Sequence, residues 1–331
     1  MSVATFRHDP LSLALDPSNS ESLGVWRDEM DRAFPPLDIV PIGTSNFHAT
    51  YRSAGSSDLQ LSDIKASPHS VHRAPGLVTG QSFEFYKISY QVSGTGIMTQ
   101  GDRELTLTPG AITVYDTARK YDLHFEEDFR FIVAMFPKRA LDLPTGLAGE
   151  FAAAPLDGTT GAGAVLSTYL LGLVDNLDYL AKPSGERLAR TGLDLITSVL
   201  SSELDDRREG ETHERSTLIE ISYFINEHLQ DWDLSPEMIA ASHFISTRHL
   251  YNIFKSAGVS VAQWIKQRRL TEARRDLADP LLAHIAISTI AQKWCFDDPA
   301  YFSRVFRELF DVSPSEWRTR AEFSRSRTLS A

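Results

Sequence analysis

The sequence predicts a two-domain α+β protein: a β-rich domain, a helical connector and an all-helical C-terminal domain. Three observations predict it. The chain has 331 residues, about twice a typical domain length of roughly 150. Residues about 36–140 break into short β-rich runs punctuated by Gly and Pro, while the chain from 215 onward has helical period throughout. The charge divides at the same place. Residues 213–331 carry 15 Lys+Arg and 15 Asp+Glu, so the whole formal net charge of −11 falls on residues 1–212. The expected boundaries are 1–160 for the β-rich domain, 161–212 for the connector and 213–331 for the helical domain.

Composition sets the class. At 42% hydrophobic and 23% charged, the chain is an ordinary globular mix. Summed over the chain, −11 argues against nucleic acid, but a partner meets local charge, and the helical third is neutral. A single cysteine, Cys295, rules out an internal disulfide and fits a reducing cytosol. The start, MSVATFRHDP, lacks a signal-peptide pattern. No apolar run approaches the roughly 18 residues of a membrane span. The expectation is a cytoplasmic protein.

The elements follow in chain order. Strands are expected at Phe83–Tyr90, Glu104–Leu107, Ala111–Tyr115 and Phe129–Phe136. Turns fall at Gly94, Gly96, Gly101, Pro109, Gly110 and Pro137. Short strands with close turns predict an antiparallel sandwich or barrel. A helical stripe follows at Val165, Leu166, Tyr169, Leu170, Leu173, Val174 and Leu177, and a second includes Leu188, Leu195, Ile196, Val199 and Leu200. The charged segment 205–214 reads as a linker.

The helical third contains one pattern twice. Ser235-Pro236 starts a short helix, with Ser as N-cap and Pro at the first helical position. After a turn at His243–Ile245, Ser246 caps a second helix. It is expected to bury Leu250, Ile253 and Phe254 and to expose Arg248, Tyr251, Asn252 and Lys255. A short helix, a tight turn and a helix with a polar outer face form a helix-turn-helix unit. The second unit begins at Ile287, turns at Trp294–Asp297 and restarts at Asp298-Pro299. Its second helix is expected to bury Phe302, Val305, Phe306 and Leu309 and to expose Ala300, Tyr301, Ser303, Arg304 and Arg307. Between the units, a helix from about Ser260 to Ala278 starts with a Ser260/Gln263 capping box, and Ser313/Glu316 forms another. Eighteen residues at 1.5 Å span about 27 Å, against roughly 34 Å between successive major-groove faces. That helix is long enough to hold two recognition helices near one duplex turn apart.

Residues 285–318, IAISTIAQKWCFDDPAYFSRVFRELFDVSPSEWR, resemble the signature of the AraC/XylS family of transcriptional regulators. The resemblance rests on Ile290-Ala291, Phe296, Asp298-Pro299, Tyr301-Phe302, Arg304, Phe306, Val312-Ser313-Pro314 and Trp317-Arg318. Ala240, Ser246, Arg248, Leu250 and Phe254 match in the first unit. It covers about 100 residues, Leu218–Arg318. Cys295 and Asp311 depart from it, standing where Gly is usual or common. Asp tolerates a left-handed backbone, and Cys295 reads as a small buried residue, with redox chemistry the alternative.

The resemblance implies that Arg248, Tyr251 and Asn252 face bases in one groove and Ala300, Ser303 and Arg304 in the next. Arg can fork onto guanine and Asn onto adenine. Lys255 and Arg307 are expected on phosphates. Helix starts at Ser235, Ser313 and Ser315 also suit phosphate. The same resemblance gives Arg269, and with it Arg268, Arg274 and Arg275, a partly structural role.

The hairpins of residues 94–117, with Val71-His72-Arg73, Gln91–Gly94 and Tyr121, resemble the jelly-roll or cupin-like, AraC-binding-like effector domain of that family. The resemblance covers roughly residues 20–140. The candidate effector-binding residues are Trp26, Arg73, Tyr86, Gln91 and Tyr121. Arg73 needs an anionic partner, either a ligand or a structural carboxylate such as Asp116. A metal-dependent cupin enzyme is disfavoured: there is no HxH pair, His69 and His72 point to opposite faces of a strand, and His48 and His124 stand apart. These read as surface or turn histidines.

The expectation is therefore a sequence-specific, DNA-binding transcriptional regulator, an activator of catabolic genes responding to a small organic effector. Its partners would be promoter DNA, the effector, a second copy and RNA polymerase, with no metal, no cofactor and no enzymatic activity. The alternatives are a ligand-independent dimeric regulator and a cupin-type enzyme fused to a DNA-binding module.

Overall fold

A computed structural model describes residues 10–16, 21–43, 47–56, 58–73, 85–141, 155–180, 182, 185–206 and 213–328. The start of the chain before residue 10, residues 83–84 of the expected strand and most of the charged linker (207–212) lie outside the described residues. The chain divides into two compact units. In the described residues, one runs to Lys138 and resumes through Leu200, while the other takes residues 139–141 and everything from Ser201.

The first unit is a two-sheet sandwich. Its strands are β1 Leu11–Leu15, β2 Asp38–Pro41, β3 Ala49–Gly55, β4 Gln60–Ala66, β5 His69–Arg73, β6 Phe85–Ser93, β7 Gly96–Gln100, β8 Arg103–Leu107, β9 Ala111–Asp116, β10 Tyr121–Phe125, β11 Phe129–Pro137 and β12 Pro155–Asp157. One sheet has the order β1-β3-β4-β11-β6-β9-β12, the other β2-β5-β10-β7-β8, and all pairs are antiparallel. The chain changes sheet from β1 to β2, β2 to β3, β4 to β5, β5 to β6, β6 to β7, β8 to β9, β9 to β10 and β10 to β11. This winding makes the two sheets the walls of one core, as in a jelly roll.

Strand β6, FYKISYQVS, shows how alternation sorts its residues. Phe85 joins the core between the sheets, whereas Tyr86, one residue on, packs against Phe136, its partner across β11. A period of two makes such neighbours face opposite sides.

Helix α1, Ser22–Ala33, sends Trp26 and Met30 into the sandwich core. The two apolar stripes form α2 Gly161–Asp175, α3 Leu177–Leu180 and α4 Gly185–Asp206. Leu166, Leu170, Leu173, Val174, Leu177, Ile196, Val199 and Leu200 are buried as expected, but Val165 is exposed and Tyr169, Leu188 and Leu195 are half-buried. Helix α2 packs on β4 and β11, and α3 on β3. The Arg52 guanidinium donates to the Val174 carbonyl, and the Tyr169 hydroxyl ties α2 to α4 through the Leu188 carbonyl (2.8 Å).

The second unit is helical: α5 His213–Glu227, α6 Pro236–Ser242, α7 Thr247–Ser256, α8 Val261–Ala278, α9 Ile287–Lys293, α10 Pro299–Phe310 and α11 Pro314–Thr328. Residues 139–141 belong to it. Arg139 lies over the Phe310 ring (5.6 Å), and Arg275 donates to the Ala140 carbonyl (3.4 Å). At the end of α10 the buried residue is Phe310, while Leu309 is half-buried. The Ser313/Glu316 capping box forms in full, with the Ser313 N–H donating to Glu316 (2.7 Å) and the Glu316 N–H to Ser313 Oγ (3.2 Å). At α8 only half of the expected box forms, the Gln263 N–H donating to Ser260 Oγ (3.2 Å). No helix among the described residues is long and apolar enough to cross a membrane.

Candidate functional site

The two helix-turn-helix units are built alike. In the first, the Met238 N–H donates to the Ser235 hydroxyl and the His249 N–H to the Ser246 hydroxyl, so a side-chain cap starts each helix. Between them the chain reverses at Phe244, whose φ of 55° is left-handed. In the second, the Ala300 N–H donates to the Asp298 carboxylate (2.8 Å), and the corresponding reversal falls on Cys295, at φ 62°. A left-handed backbone is where Gly is at ease, which explains why Cys295 stands out against the family pattern. Cys295 is half-buried, not buried. Its thiol sits 3.7 Å from the Leu229 carbonyl, and burial pushes its pKa up, against a reactive thiolate.

These caps set the faces. Helix α7 buries Leu250, Ile253 and Phe254 and leaves Arg248, Tyr251, Asn252 and Lys255 exposed. Helix α10 buries Phe302, Val305 and Phe306 and leaves Ala300, Tyr301, Ser303, Arg304 and Arg307 exposed. The eight residues expected on DNA, these nine without Tyr301, thus lie on solvent-facing sides, four to a helix. Arg304 reaches Glu308 (3.2 Å) and lies over the Tyr301 ring (5.3 Å), while Arg307 reaches Glu316 (3.4 Å). Such exposed pairs are weak, so these cations remain available to phosphate and base edges.

The arginines of α8 do the opposite. Arg268 bonds Asn226 and Glu272, Arg269 donates to the carbonyls of Leu229 and Asp231, and Arg275 pairs with Glu272. Arg274 stacks between Phe310 (4.7 Å) and Trp317 (5.0 Å), and the Trp317 indole N–H donates to its carbonyl. These four cations brace the helix between the units. Next to Arg275 on the same helix, Asp276 takes the Trp294 indole N–H (2.7 Å) and Lys293 Nζ (2.8 Å).

The sandwich core holds a small, partly open cavity of about 30 Å³. Apolar residues from α1 and both sheets form most of its wall, and its polar members are Trp26, His69, Lys87, Tyr115 and Tyr121. Two of the five residues named from the sequence, Trp26 and Tyr121, line it. Arg73 is the cross-strand partner of Tyr121 and is fully buried; its guanidinium donates to the Thr117 and Pro36 carbonyls. Asp116, the structural partner considered for it, instead takes Lys138 Nζ (2.8 Å). Tyr86 faces away from the cavity, against Phe136, with Lys138 over its ring. Gln91 closes a turn, donating to the Ser93 and Gly94 carbonyls.

Lys87 and His69 are the residues that sequence reasoning missed. Lys87 is only 3% exposed. Its Nζ donates to the Tyr121 hydroxyl (3.1 Å) and lies over the Phe34 ring (4.1 Å). Desolvation, with the nearby Arg73 charge, lowers its pKa from 10.5 to about 7. The available signal was a lysine on the inward face of an apolar strand, two residues from Phe85. His69 is no surface histidine. It is buried among Trp26, Phe47, Phe125 and Phe129, pairs its Nδ1 with the Ser67 carbonyl, and burial lowers its pKa to about 4. His48, His72 and His124 are half-buried and paired with Asp128, Asp122 and Glu126. Among the described residues no group of His, Cys, Asp or Glu could hold a metal ion.

Two exposed recognition helices on a braced helical scaffold, joined to a β-sandwich with an internal cavity, define a DNA-binding transcriptional regulator. Comparison with known proteins gives the family. Residues 26–201 match the AraC-binding-like domain, and residues 239–320 match a helix-turn-helix domain. The chain belongs to the AraC family of transcriptional regulators. It is 26% identical over 296 residues to the transcriptional activator NphR of a Rhodococcus species, covering 88% of each chain. It is 32% identical over 104 residues to the arabinose operon regulatory protein of Escherichia coli K12, covering 31% of this chain and 35% of that one. The crystal structure of the AraC-like transcriptional activator CuxR superposes with a TM-score of 0.53 at 22% identity, covering 80% of this chain and 95% of that one.

Proposed function

We propose that this regulator is an effector-responsive activator whose small-molecule site is the sandwich cavity. The observation that carries this reading is the cavity itself: a mostly apolar chamber with a few polar groups is the form small-molecule sites take. It lies in a domain of AraC-binding-like type. Activation is favoured by the likeness to NphR, itself described as an activator. Arg248, Tyr251, Asn252, Ala300, Ser303 and Arg304 read base edges, and Lys255 and Arg307 hold phosphates. The effector acts by binding one DNA-engaging state better than another, since equal affinity shifts nothing.

Residues 161–212 serve as connector and dimer contact in this reading. Val165 and Tyr179, both exposed apolar side chains on α2 and α3, support that role. The activated dimer then engages RNA polymerase. The test is a thermal-shift screen of small aromatics, amines and acids, followed by gel shifts with and without each binder. A binder that raises the melting temperature and changes DNA affinity supports the reading. Binders that stabilise the protein while leaving DNA affinity unchanged would leave it as a ligand-independent regulator. Light scattering at micromolar concentration tests the dimer, and a monodisperse monomer would remove it.

A further inference from the structure

Resting on the reading of the cavity as the effector site, we propose that its ligand is a small organic acid. Its carboxylate is held by Lys87 Nζ and the Tyr121 and Tyr115 hydroxyls, and its apolar body packs among Ile64, Phe131 and Val133.

The cavity wall carries donors without acceptors. Lys87 and Tyr115 are cross-strand partners on one sheet, and Tyr121 stands on the other. The two tyrosine rings meet edge to face at 4.9 Å. The Tyr121 hydroxyl accepts from Lys87 Nζ (3.1 Å), and the Tyr115 hydroxyl accepts from Ser89 Oγ (2.9 Å). Each phenol has therefore used an acceptor lone pair and kept its proton undonated. Burial raises both phenol pKa values, so the protons stay in place at neutral pH. The ammonium has two further N–H groups, and none of the residues lining the cavity carries a carboxylate. Trp26, 1% exposed, adds an indole N–H with no hydrogen-bond partner. The cavity thus offers positive charge and several unspent donors, whereas its one uncommitted acceptor among polar side chains is the ring of neutral His69.

A buried cation without a counter-ion is costly, and a carboxylate supplies both the charge and the acceptor lone pairs. An amine would meet Lys87 as a like charge, and a neutral amide would bring one acceptor oxygen and no charge. The remaining wall is aliphatic and aromatic, which suits a short alkyl or aryl body.

The test uses the full-length protein and isothermal titration with benzoate, 3-phenylpropionate and hexanoate, their primary amides, and benzylamine. The expected result is at least tenfold tighter binding of an acid than of its amide. Lys87→Met should lose at least tenfold for that acid while changing the amide less than threefold. Tyr121→Phe should lose about threefold to tenfold, and Lys65→Met, which removes an exposed lysine from the same sheet, should change nothing. Amide or amine binding as tight as acid binding, or acid binding unaffected by Lys87→Met, would overturn the acid assignment and leave the sensor reading standing. Failure of the whole panel to bind would overturn both.

Discussion

Lys87→Met tests the physics of the cavity through stability alone. The wild-type ammonium is 3% exposed, with one hydrogen bond and the Phe34 ring for company. Its pKa falls from 10.5 to about 7 on burial. At 1.36 kcal/mol per unit, that gap sets a ceiling of about 4–5 kcal/mol on the destabilisation. The sign follows from proton counting. The unfolded chain holds the proton up to about pH 10.5 and the folded chain releases it near 7, so between these values the unfolded state binds more protons. Stability therefore rises with pH across that window and is lowest below 7. The other ionisable groups facing Lys87 are Tyr115 and Tyr121, whose phenols burial pushes up, and Arg73, whose pKa burial lowers; both proteins keep all three, so the difference between the two isolates Lys87. Allowing for the lost hydrogen bond and cation–π contact, the Met variant should gain about 2–4 kcal/mol at pH 6 and roughly half that at pH 9. For a unit of this size that is a rise of about 5–15 °C in the sandwich transition at pH 6. Scanning calorimetry of both proteins at the two pH values measures it. A Met variant that melts lower than wild type, or by the same margin at both pH values, would refute the reasoning.

The DNA face and the turns give further expectations. Arg304→Ala should weaken specific binding by about 1–3 kcal/mol and spare non-specific binding. Gel-shift titration on a selected site and its scrambled copy decides this, and equal losses on both would remove Arg304 from base readout. Lys255→Ala should weaken binding alike on all sequences and reduce the salt slope by about 1, as one phosphate contact requires. Cys295→Gly should stabilise the helical unit by about 0.5–1 kcal/mol, because a left-handed L-residue costs about 1–2 kcal/mol and glycine's entropy returns only part of that. Urea denaturation at unchanged m-value reads the difference, and destabilisation would show that the Cys295 thiol contact outweighs the backbone strain.

The helical third was legible because its signals are local. Ser235-Pro236, Ser246, Asp298-Pro299 and Ser313 each encode a cap within three residues, and the helices start where those caps lie. The polar faces of α7 and α10 then follow from period alone. The sandwich was legible as a class and less so as a site. Helix α1 lies beside β strands in a stretch read as β-rich, although Leu23, Trp26 and Met30 carry helical spacing. Tyr86, named from the sequence, and Lys87, which lines the cavity, are neighbours on opposite faces of β6, since in a strand one residue changes the face. Which face of β6 turns inward is decided by its pairing with β9 and β11, contacts distant in sequence. Arg73 and Gln91, named as effector-binding candidates, donate to backbone carbonyls: Arg73 to Thr117 and Pro36, distant in sequence, and Gln91 to Ser93 and Gly94 in its own turn. The expected pairing of Arg73 with Asp116 failed because Lys138, at the end of β11, reaches that carboxylate.

In the proposed function, α7 and α10 read two successive major grooves, held apart by α8, whose 18 residues span about 27 Å. The most direct test of this reading is footprinting of the full-length protein on a site selected from random sequence, with Arg248→Ala and Arg304→Ala alongside. The account predicts two protected blocks on one face of the duplex, about 10 base pairs apart, with each variant erasing a different block. A single block, or equal weakening of the same block by both variants, would contradict it.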